Sequence, residues 1–209
     1  MILTLGHSTH PLARYVELLQ AQGVTAVADV RSQPYSRHVP QYRREALSDG
    51  LAAAGIAYVF LGRELGARSP DPAHYEDGQL RYDLLAASAP FQQGLLRLEQ
   101  GQARWRIALL CAERDPLTCH RGLLVAPCLV RRGLAVAHIH PDGRLESQAE
   151  LEDRLLATSG LADGDLFSSR EERLERAYAR HGWGQVPSAP PARASSTSRR
   201  TGRPDRASP

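Results

Sequence analysis

Short apolar runs alternate with amphipathic segments along most of the chain. Runs that suit buried strands lie at residues 2–5, 24–30, 56–61, 107–110 and 134–139. Between them, apolar positions recur at helical spacing over residues 11–23, 45–54, 91–100 and 118–133. This alternation of strands and helices predicts an α/β fold with a mostly parallel sheet flanked by helices.

Three segments depart from this alternation. Residues 62–83 contain several glycines and prolines and are predicted to form a long loop. The pattern over residues 145–180 is helical and charged, whereas the last 23 residues, from Pro187, contain five Pro, five Ser and little to bury. We therefore expect an α/β domain over 1–145, a C-terminal helical extension over 146–186 and a disordered tail over 187–209.

The net charge is unevenly distributed along the chain. The formal charge of the 209 residues is +3, but residues 187–209 carry five Arg and one Asp, a net of +4, so the remainder carries −1. The basic balance therefore belongs to the tail and does not indicate a dedicated nucleic-acid-binding domain. A basic segment from Arg37 to Arg44, with Tyr35 and Tyr42, nevertheless keeps nucleic acid open as a partner.

Neither a membrane span nor a secretory signal is visible in the sequence. The chain has no apolar run of about 18 residues, and Met1 leads into an apolar strand without a basic region before it. The three cysteines form no disulfide framework, which favours a reducing compartment. We expect a cytoplasmic protein without a membrane partner, and its oligomeric state stays open.

The segment from Ile107 to Arg121, I-A-L-L-C-A-E-R-D-P-L-T-C-H-R, concentrates the candidate chemistry. Its apolar run ends at Cys111, a turn follows at Asp115, and Thr118 is a candidate N-cap for the next helix. The N-terminus of a helix attracts anions and lowers the pKa of a nearby thiol. The segment therefore predicts a thiol at an anion-binding loop.

Other polar residues stand at the ends of the earlier strands. His7 follows the first strand, and Asp29 and Arg31 lie at the end of the second. Because ligands of parallel sheets bind at the carboxyl ends of the strands, we expect these residues to lie near Cys111. The predicted catalytic set is a nucleophile, a general acid–base group and two orienting carboxylates: Cys111, His7, Asp29 and Glu113. The predicted anion-binding set is Arg31, Arg37, Cys119, His120 and Arg121.

Three members of the catalytic set, Cys111, Asp29 and Glu113, also have a purely structural explanation. Cys111 is equally consistent with a small apolar residue that fills the end of a buried strand. Asp29 and Arg31 are consistent with an ion pair that closes a strand end. Glu113 is consistent with a loop residue that accepts backbone N–H groups.

The second cysteine and the histidine beside it leave further alternatives open. The helix N-terminus and His120 are expected to lower the pKa of Cys119. A redox pair of Cys111 and Cys119 stays open, although the spacing is not C-x-x-C. A metal site would require these three residues to converge with His7, and no short metal-ligand spacing is present. The leading hypothesis therefore includes neither a metal nor another cofactor.

Three motifs occur in order along the chain: G-H-S-T near the N-terminus, D-V-R-S after the second strand and C-A-E-R-D-P-L-T-C-H-R after the central one. Together they resemble the domain of unknown function 488 family, from about Ile2 to Ile139, and this family name implies no activity. A looser similarity is to rhodanese-like domains, in which a D-V-R follows an early strand and a catalytic Cys ends a later one. Cys111 takes that position, but its loop is longer and holds a second Cys and a His. Sulfur transfer is therefore an analogy only.

Two functions are consistent with these patterns. The first is a cytoplasmic, thiol-dependent enzyme that acts on a small phosphate-, sulfate- or carboxylate-bearing substrate. The second is a nucleotide- or nucleic-acid-binding module that uses the same basic pocket without chemistry. The reactivity of Cys111 distinguishes them, because only the first requires a reactive thiol.

Overall fold

A six-stranded sheet forms the centre of the molecule. The computed structural model describes residues 1–164 and 167–184. Its strands are β1 (Ile2–Gly6), β2 (Ala26–Asp29), β3 (Ala57–Phe60), β4 (Tyr75–Glu76), β5 (Gln79–Leu80), β6 (Ile107–Cys111), β7 (Val136–Ile139) and β8 (Leu145–Ser147). The large sheet has the order β3-β2-β6-β1-β7-β8 and is parallel except for β8, which pairs antiparallel with β7. The predicted α/β fold with a mostly parallel sheet is confirmed.

Helices cover both faces of this sheet. They are α1 (Leu12–Ala21), α2 (Arg44–Ala53), α3 (Gly62–Leu65), α4 (Tyr82–Ala87), α5 (Ala89–Gly101), α6 (Ala126–Arg131), α7 (Gln148–Thr158) and α8 (Arg170–Ala179). Helices α1 and α2 pack on one face, and α5 to α8 pack on the other. Within the described residues, no helix has the length and apolar character needed to cross a membrane.

The apolar run of β6 reflects burial on both faces of the sheet. Ile107 and Leu109 belong to the core under α5 to α8, whereas Ala108 and Leu110 belong to the core under α1 and α2. Central strands of parallel sheets have no polar face because both of their faces are covered. This arrangement places Cys111, the last residue of β6, at the centre of the carboxyl edge of the sheet.

Two segments differ from the prediction. Residues 62–83 do not form one long loop but contain α3, a 3₁₀ turn at Pro72–His74, the β4–β5 hairpin and the start of α4. Asp77 and Gly78 turn the hairpin with φ angles of 49° and 75°, as expected for an Asp-Gly turn between two short strands. The helical pattern predicted from residue 145 begins only after β8, which forms the antiparallel edge of the sheet.

The C-terminal helices are capped by their own residues, and a buried tryptophan after α8 packs against the sheet domain. Each begins with a capping box, Ser147 with Glu150 in α7 and Ser169 with Glu172 in α8. The indole of Trp183 is buried and donates a hydrogen bond of 2.7 Å to a backbone carbonyl near the start of α6. The predicted disordered tail, 187–209, lies outside the described residues.

A chain of buried polar groups connects the loop after β6 to these helices. Arg121 Nε donates to the Thr4 hydroxyl at 3.3 Å, and that hydroxyl is 2.8 Å from His138 Nδ1. His138 Nε2 in turn lies 2.9 Å from the amide oxygen of Gln148, whose amide nitrogen donates to the Tyr178 hydroxyl at 3.0 Å. Because every polar atom named here has a partner, burial of these side chains does not leave an unsatisfied group.

His138 is expected to make the protein less stable in acid. Burial lowers its pKa to about 4, whereas the unfolded value is about 6.5. Between pH 6.5 and 4 the imidazole is therefore protonated in the unfolded state but not in the folded state. This difference lowers the free energy of unfolding by about 3 kcal/mol as the pH falls from 6.5 to 4. Urea unfolding of the wild type and of His138→Gln over this range measures the effect. The variant should show a shallower loss, and equal slopes would contradict the prediction.

Candidate functional site

The candidate site lies where β1, β2 and β6 end side by side. Gly6 is in register with Cys111, and the backbone N–H of His7 donates to the Cys111 carbonyl at 2.9 Å. On the other side of β6, the Val30 N–H donates to the Leu110 carbonyl at 3.1 Å. The carboxyl edge of the sheet therefore brings together residues that lie far apart in the sequence, as their positions at the ends of the predicted strands indicated.

An ion pair at the end of β2 holds Arg31 in a defined position. Its Nε and Nη2 donate to the two carboxylate oxygens of Asp29 at 2.9 and 2.7 Å, and its backbone N–H donates to the same carboxylate at 3.1 Å. The Tyr58 hydroxyl adds a hydrogen bond of 2.8 Å to Asp29. Burial alone would lower the pKa of Arg31, but the hydrogen bonds and charge of Asp29 outweigh it and raise that pKa.

His7 contacts the remaining end of the same guanidinium group. Its Nε2 is 3.3 Å from Arg31 Nη1, and its Nδ1 is 2.8 Å from the Ser8 carbonyl oxygen. The carbonyl can only accept, so Nδ1 carries the proton and Nε2 accepts from Arg31. The ring stacks on Tyr42 at 4.1 Å between centroids, and burial lowers the pKa of His7 to about 4. In this geometry His7 is neutral near pH 7 and orients Arg31.

Cys111, Cys119 and His120 form a compact cluster, here called the Cys–His cluster. Their sulfur and ring-nitrogen atoms lie within 4.8 Å of one another. His120 Nδ1 is 3.5 Å from Cys111 Sγ and 3.9 Å from Cys119 Sγ. Cys111 Sγ is also 2.8 Å from a carboxylate oxygen of Glu113. Both thiols are buried, with 2% and 3% of the residue surface exposed.

The pKa values of the two thiols are shifted in opposite directions. The hydrogen bond to Cys119, burial and the charge of Glu113 raise the pKa of Cys111 well above its usual value. Burial would also raise the pKa of Cys119, but the hydrogen bond from Cys111 and the charges of Arg121 and His120 hold it well below its usual value. Cys119 is therefore the more acidic thiol of the pair, and Cys111 keeps its proton, which it donates to Glu113 at 2.8 Å. The nucleophile predicted from the sequence, Cys111, is thus the less acidic of the two thiols.

A cavity of about 250 Å³ opens beside the Cys–His cluster. Six of the residues that line it carry a charged group, an amide, an imidazole or a thiol: Arg31, Gln33, Arg68, Cys111, Glu113 and His120. Cys119 lies behind this surface and accepts a backbone N–H from Arg121 at 3.4 Å. A larger, more open depression of about 700 Å³ lies along the edge strand β3 with α2 and α3, and mixes arginines with acidic residues.

Two of the predicted anion-binding arginines, Arg37 and Arg121, do not line this cavity. The guanidinium of Arg121 is fully buried and donates to the carbonyls of Glu113 and Arg114 at 2.6 and 3.0 Å. It therefore faces the backbone of the loop after β6 rather than the cavity, and we leave it out of the anion site. Arg37 is exposed on the loop after β2, and Arg68 supplies the second cavity arginine instead.

The helix after the cluster begins differently from the prediction. Thr118 does not cap it, because its hydroxyl donates to the Asp115 carbonyl at 3.0 Å within a 3₁₀ turn. The Asp115 carboxylate accepts the Leu117 N–H at 2.9 Å and pairs with Arg154 of α7. A π-helical turn, Arg121–Val125, then leads into α6. Such turns are frequent at functional sites.

Several site residues were missed by the sequence analysis. Arg68 and Gln33 interact with each other at 3.3 Å and stand in loops without a motif, so no local pattern marks them. Tyr58 lies in a predicted strand and was assigned no role, although its alternation with Val59 on an edge strand is a weak signal for a polar contact. Tyr35 lines the cavity and lies under the Arg43 guanidinium.

Comparison with known proteins identifies a family for this chain. The family model named "Domain of unknown function DUF488" matches residues 11–127, more than half of the chain. The match contains Arg31 and the Cys–His cluster and leaves out β1 with His7. No curated protein and no solved structure matches the chain, so the similarity to rhodanese-like domains stays a prediction. The residues matched show that this chain belongs to the DUF488 family.

Proposed function

We propose that this protein is a thiol-dependent enzyme that acts on a small anionic substrate. Arg31 binds the anion, and Cys111 attacks an electrophilic atom of the same molecule. The observation that carries the proposal is that Cys111 and Arg31 line one cavity, of a size suited to a small ligand.

The anion-binding part of the proposal rests on the way Arg31 is held. Its contacts with Asp29 and His7 use three of the five N–H groups of the guanidinium. The others are available to a phosphate, sulfate or carboxylate, which arginine binds through paired hydrogen bonds. Asp29 and His7 act as positioning residues, because they restrict Arg31 without touching the substrate. The exposed Arg68 adds a second positive charge at the cavity.

The chemical part of the proposal requires Cys111 to lose its proton. Glu113 is the acceptor in contact with Cys111 Sγ, at 2.8 Å. In the reaction, the thiol proton passes to Glu113 and the sulfur forms a bond with the electrophilic atom. The bond to the leaving group breaks, its electron pair goes with the leaving group, and Glu113 returns the proton to that group.

The proposal predicts that Cys111 prefers an anionic alkylating reagent. Iodoacetate carries a carboxylate that Arg31 can bind, whereas iodoacetamide is neutral and of similar size. In metal-free protein, the ratio of iodoacetate to iodoacetamide rates at Cys111 should exceed the ratio at Cys128 by about tenfold, equivalent to ~1.4 kcal/mol. Mass spectrometry resolves the two sites. Cys128 is the reference because it lies in the core and does not line the cavity.

Variants separate the roles of the arginines. Arg31→Gln and Arg68→Gln should each reduce the preference for iodoacetate at Cys111, and inorganic phosphate should slow the reaction of the wild type. Arg104→Gln is the matched control, because Arg104 is exposed and contacts Trp105 away from the cavity. Equal reagent ratios at Cys111 and Cys128 would contradict the proposal. Phosphate binding without any effect on Cys111 would instead favour a binding module.

A further inference from the structure

The spacing of the Cys–His cluster matches the coordination shell of a tetrahedral metal ion. Zinc binds sulfur at about 2.3 Å and nitrogen at about 2.0 Å, so tetrahedral geometry places a sulfur and a nitrogen ligand ~3.6 Å apart. The observed separations of His120 Nδ1 from Cys111 Sγ and Cys119 Sγ are 3.5 and 3.9 Å. Sulfur atoms bound to the same zinc lie ~3.8 Å apart, and the candidate ligand atoms of the cluster, one from each residue, lie within 4.8 Å of one another.

The hydrogen bond on the far side of the imidazole directs the correct nitrogen toward the sulfurs. His120 Nε2 is 3.0 Å from the Val30 carbonyl oxygen. Because a carbonyl only accepts, Nε2 carries the proton, and in the neutral ring the lone pair of Nδ1 points into the cluster. Histidines that bind metals are commonly fixed in this way by a backbone carbonyl. The Arg121 N–H bonded to Cys119 Sγ at 3.4 Å provides a comparable contact for a thiolate ligand.

A fourth ligand can reach the Cys–His cluster from the cavity. Cys111 and His120 both line the cavity, and the Glu113 carboxylate lies against Cys111 there. A cation bound by the three buried ligands can complete its shell with this carboxylate or with a ligand from the cavity. Three protein ligands and one open position are typical of reactive zinc sites rather than purely structural ones.

We propose that Cys111, Cys119 and His120 bind one soft divalent cation, with Zn²⁺ as the best match to two thiolates and an imidazole. Binding displaces the thiol proton of Cys111 into solvent, Cys119 binds as the thiolate that it already is, and the charges of the two thiolates balance that of the cation. The cation also binds Cys111 through one sulfur lone pair, withdraws negative charge from the sulfur and shields it, and so blocks its attack on a substrate. This regulatory consequence rests on the proposed function, whereas the cation site itself does not.

The test is a Zn²⁺ titration of metal-free, reduced protein against a chromophoric chelator. We expect one equivalent of Zn²⁺ to bind, and Co²⁺ to give the charge-transfer absorption of a thiolate-bound ion. Cys119→Ser and His120→Gln should each weaken Zn²⁺ binding by about 100-fold or more. The reason is that loss of a metal ligand reduces the affinity more than loss of the hydrogen bond that orients that ligand. Cys128→Ser is the matched control and should bind Zn²⁺ like the wild type, because Cys128 lies in the core outside the cluster.

Alkylation measured with and without Zn²⁺ tests the blocking of Cys111. One equivalent of Zn²⁺ should protect Cys111 from iodoacetate and leave Cys128 unaffected. The inference is overturned if the folded wild type binds no stoichiometric Zn²⁺, if Cys119→Ser and His120→Gln keep wild-type affinity, or if bound Zn²⁺ leaves Cys111 reactive. Circular dichroism identifies a variant that has failed to fold. In that case the titration of the folded wild type decides whether the cation site exists. The reagent preference of metal-free Cys111 is measured separately, so failure of the proposed function is distinguishable from failure of the cation site.

Discussion

Replacing Gly6 by alanine should destabilise the protein and displace the loop that carries the site. A Cβ at this position would lie 1.7 Å from the carbonyl oxygen of Glu113 and 2.8 Å from its carbonyl carbon. These are backbone atoms, so no side-chain rotation relieves the overlap. We expect the free energy of unfolding to fall by about 3 kcal/mol, at the upper end of the cost of overpacking a core. Urea unfolding measures this loss.

The same substitution should also change the chemistry of Cys111. Gly6 lies beside Cys111 in the sheet, and the displaced carbonyl belongs to the residue whose carboxylate contacts the thiol. The preference of Cys111 for iodoacetate should therefore decrease in whatever fraction of Gly6→Ala remains folded. Gly101→Ala is the control, because its Cβ would meet only the flexible Ile107 Cδ1, at 3.1 Å. Wild-type stability in Gly6→Ala would show that the loop does not depend on this close approach.

Replacing Arg121 by leucine should have an effect of similar size for a different reason. The buried guanidinium donates to two backbone carbonyls of the loop after β6 and to Thr4. Leucine leaves these acceptors buried without donors, and each such loss costs about 1–3 kcal/mol. We expect the free energy of unfolding to fall by about 3 kcal/mol in total, because part of the loop can relax toward water. Urea unfolding at pH 7 gives the value.

A second measurement on Arg121→Leu separates its electrostatic role from its structural one. The positive charge of Arg121 helps to lower the pKa of Cys119, so its removal should raise that pKa. The alkylation of Cys119 should then require a higher pH than in the wild type. Arg114→Leu is the matched control, since Arg114 is an exposed residue of the same loop. If Arg121→Leu keeps both the stability and the Cys119 profile of the wild type, the assigned role is wrong.

Local patterns predicted the strands and most helices because burial leaves a signature in consecutive residues. The uninterrupted run before Cys111 reflects a strand covered on both faces, and the helical spacing over 91–100 reflects the buried side of α5. The patterns failed where elements are short. The two-residue strands of the β4–β5 hairpin and the three residues of β8 are too brief for a period to appear.

The candidate site was predictable only to the level of its strand ends. His7, Asp29, Arg31 and Cys111 were expected at one edge of the sheet because parallel strands place their carboxyl ends together. Their individual roles depend on which partner each side chain meets. Asp29 and His7 both contact Arg31, whereas His120 reaches across to β2 through the Val30 carbonyl. The Asp29–Arg31 ion pair was one of the alternatives that the sequence left open, whereas the contacts of His7 and His120 do not follow from spacing along the chain.

The sequence by itself determined the alternating strands and helices, the buried strand that ends at Cys111, and the family motifs. Only the tertiary structure decided which residues meet, because β6 is inserted between β1 and β2 although some 80 residues separate it from β2 in the chain. That strand order brings Gly6 against the loop after β6, turns Arg121 inward, and closes Cys111, Cys119 and His120 into one cluster. The physical reason is that strand order and loop path are set by packing over the whole sheet, which no local pattern encodes.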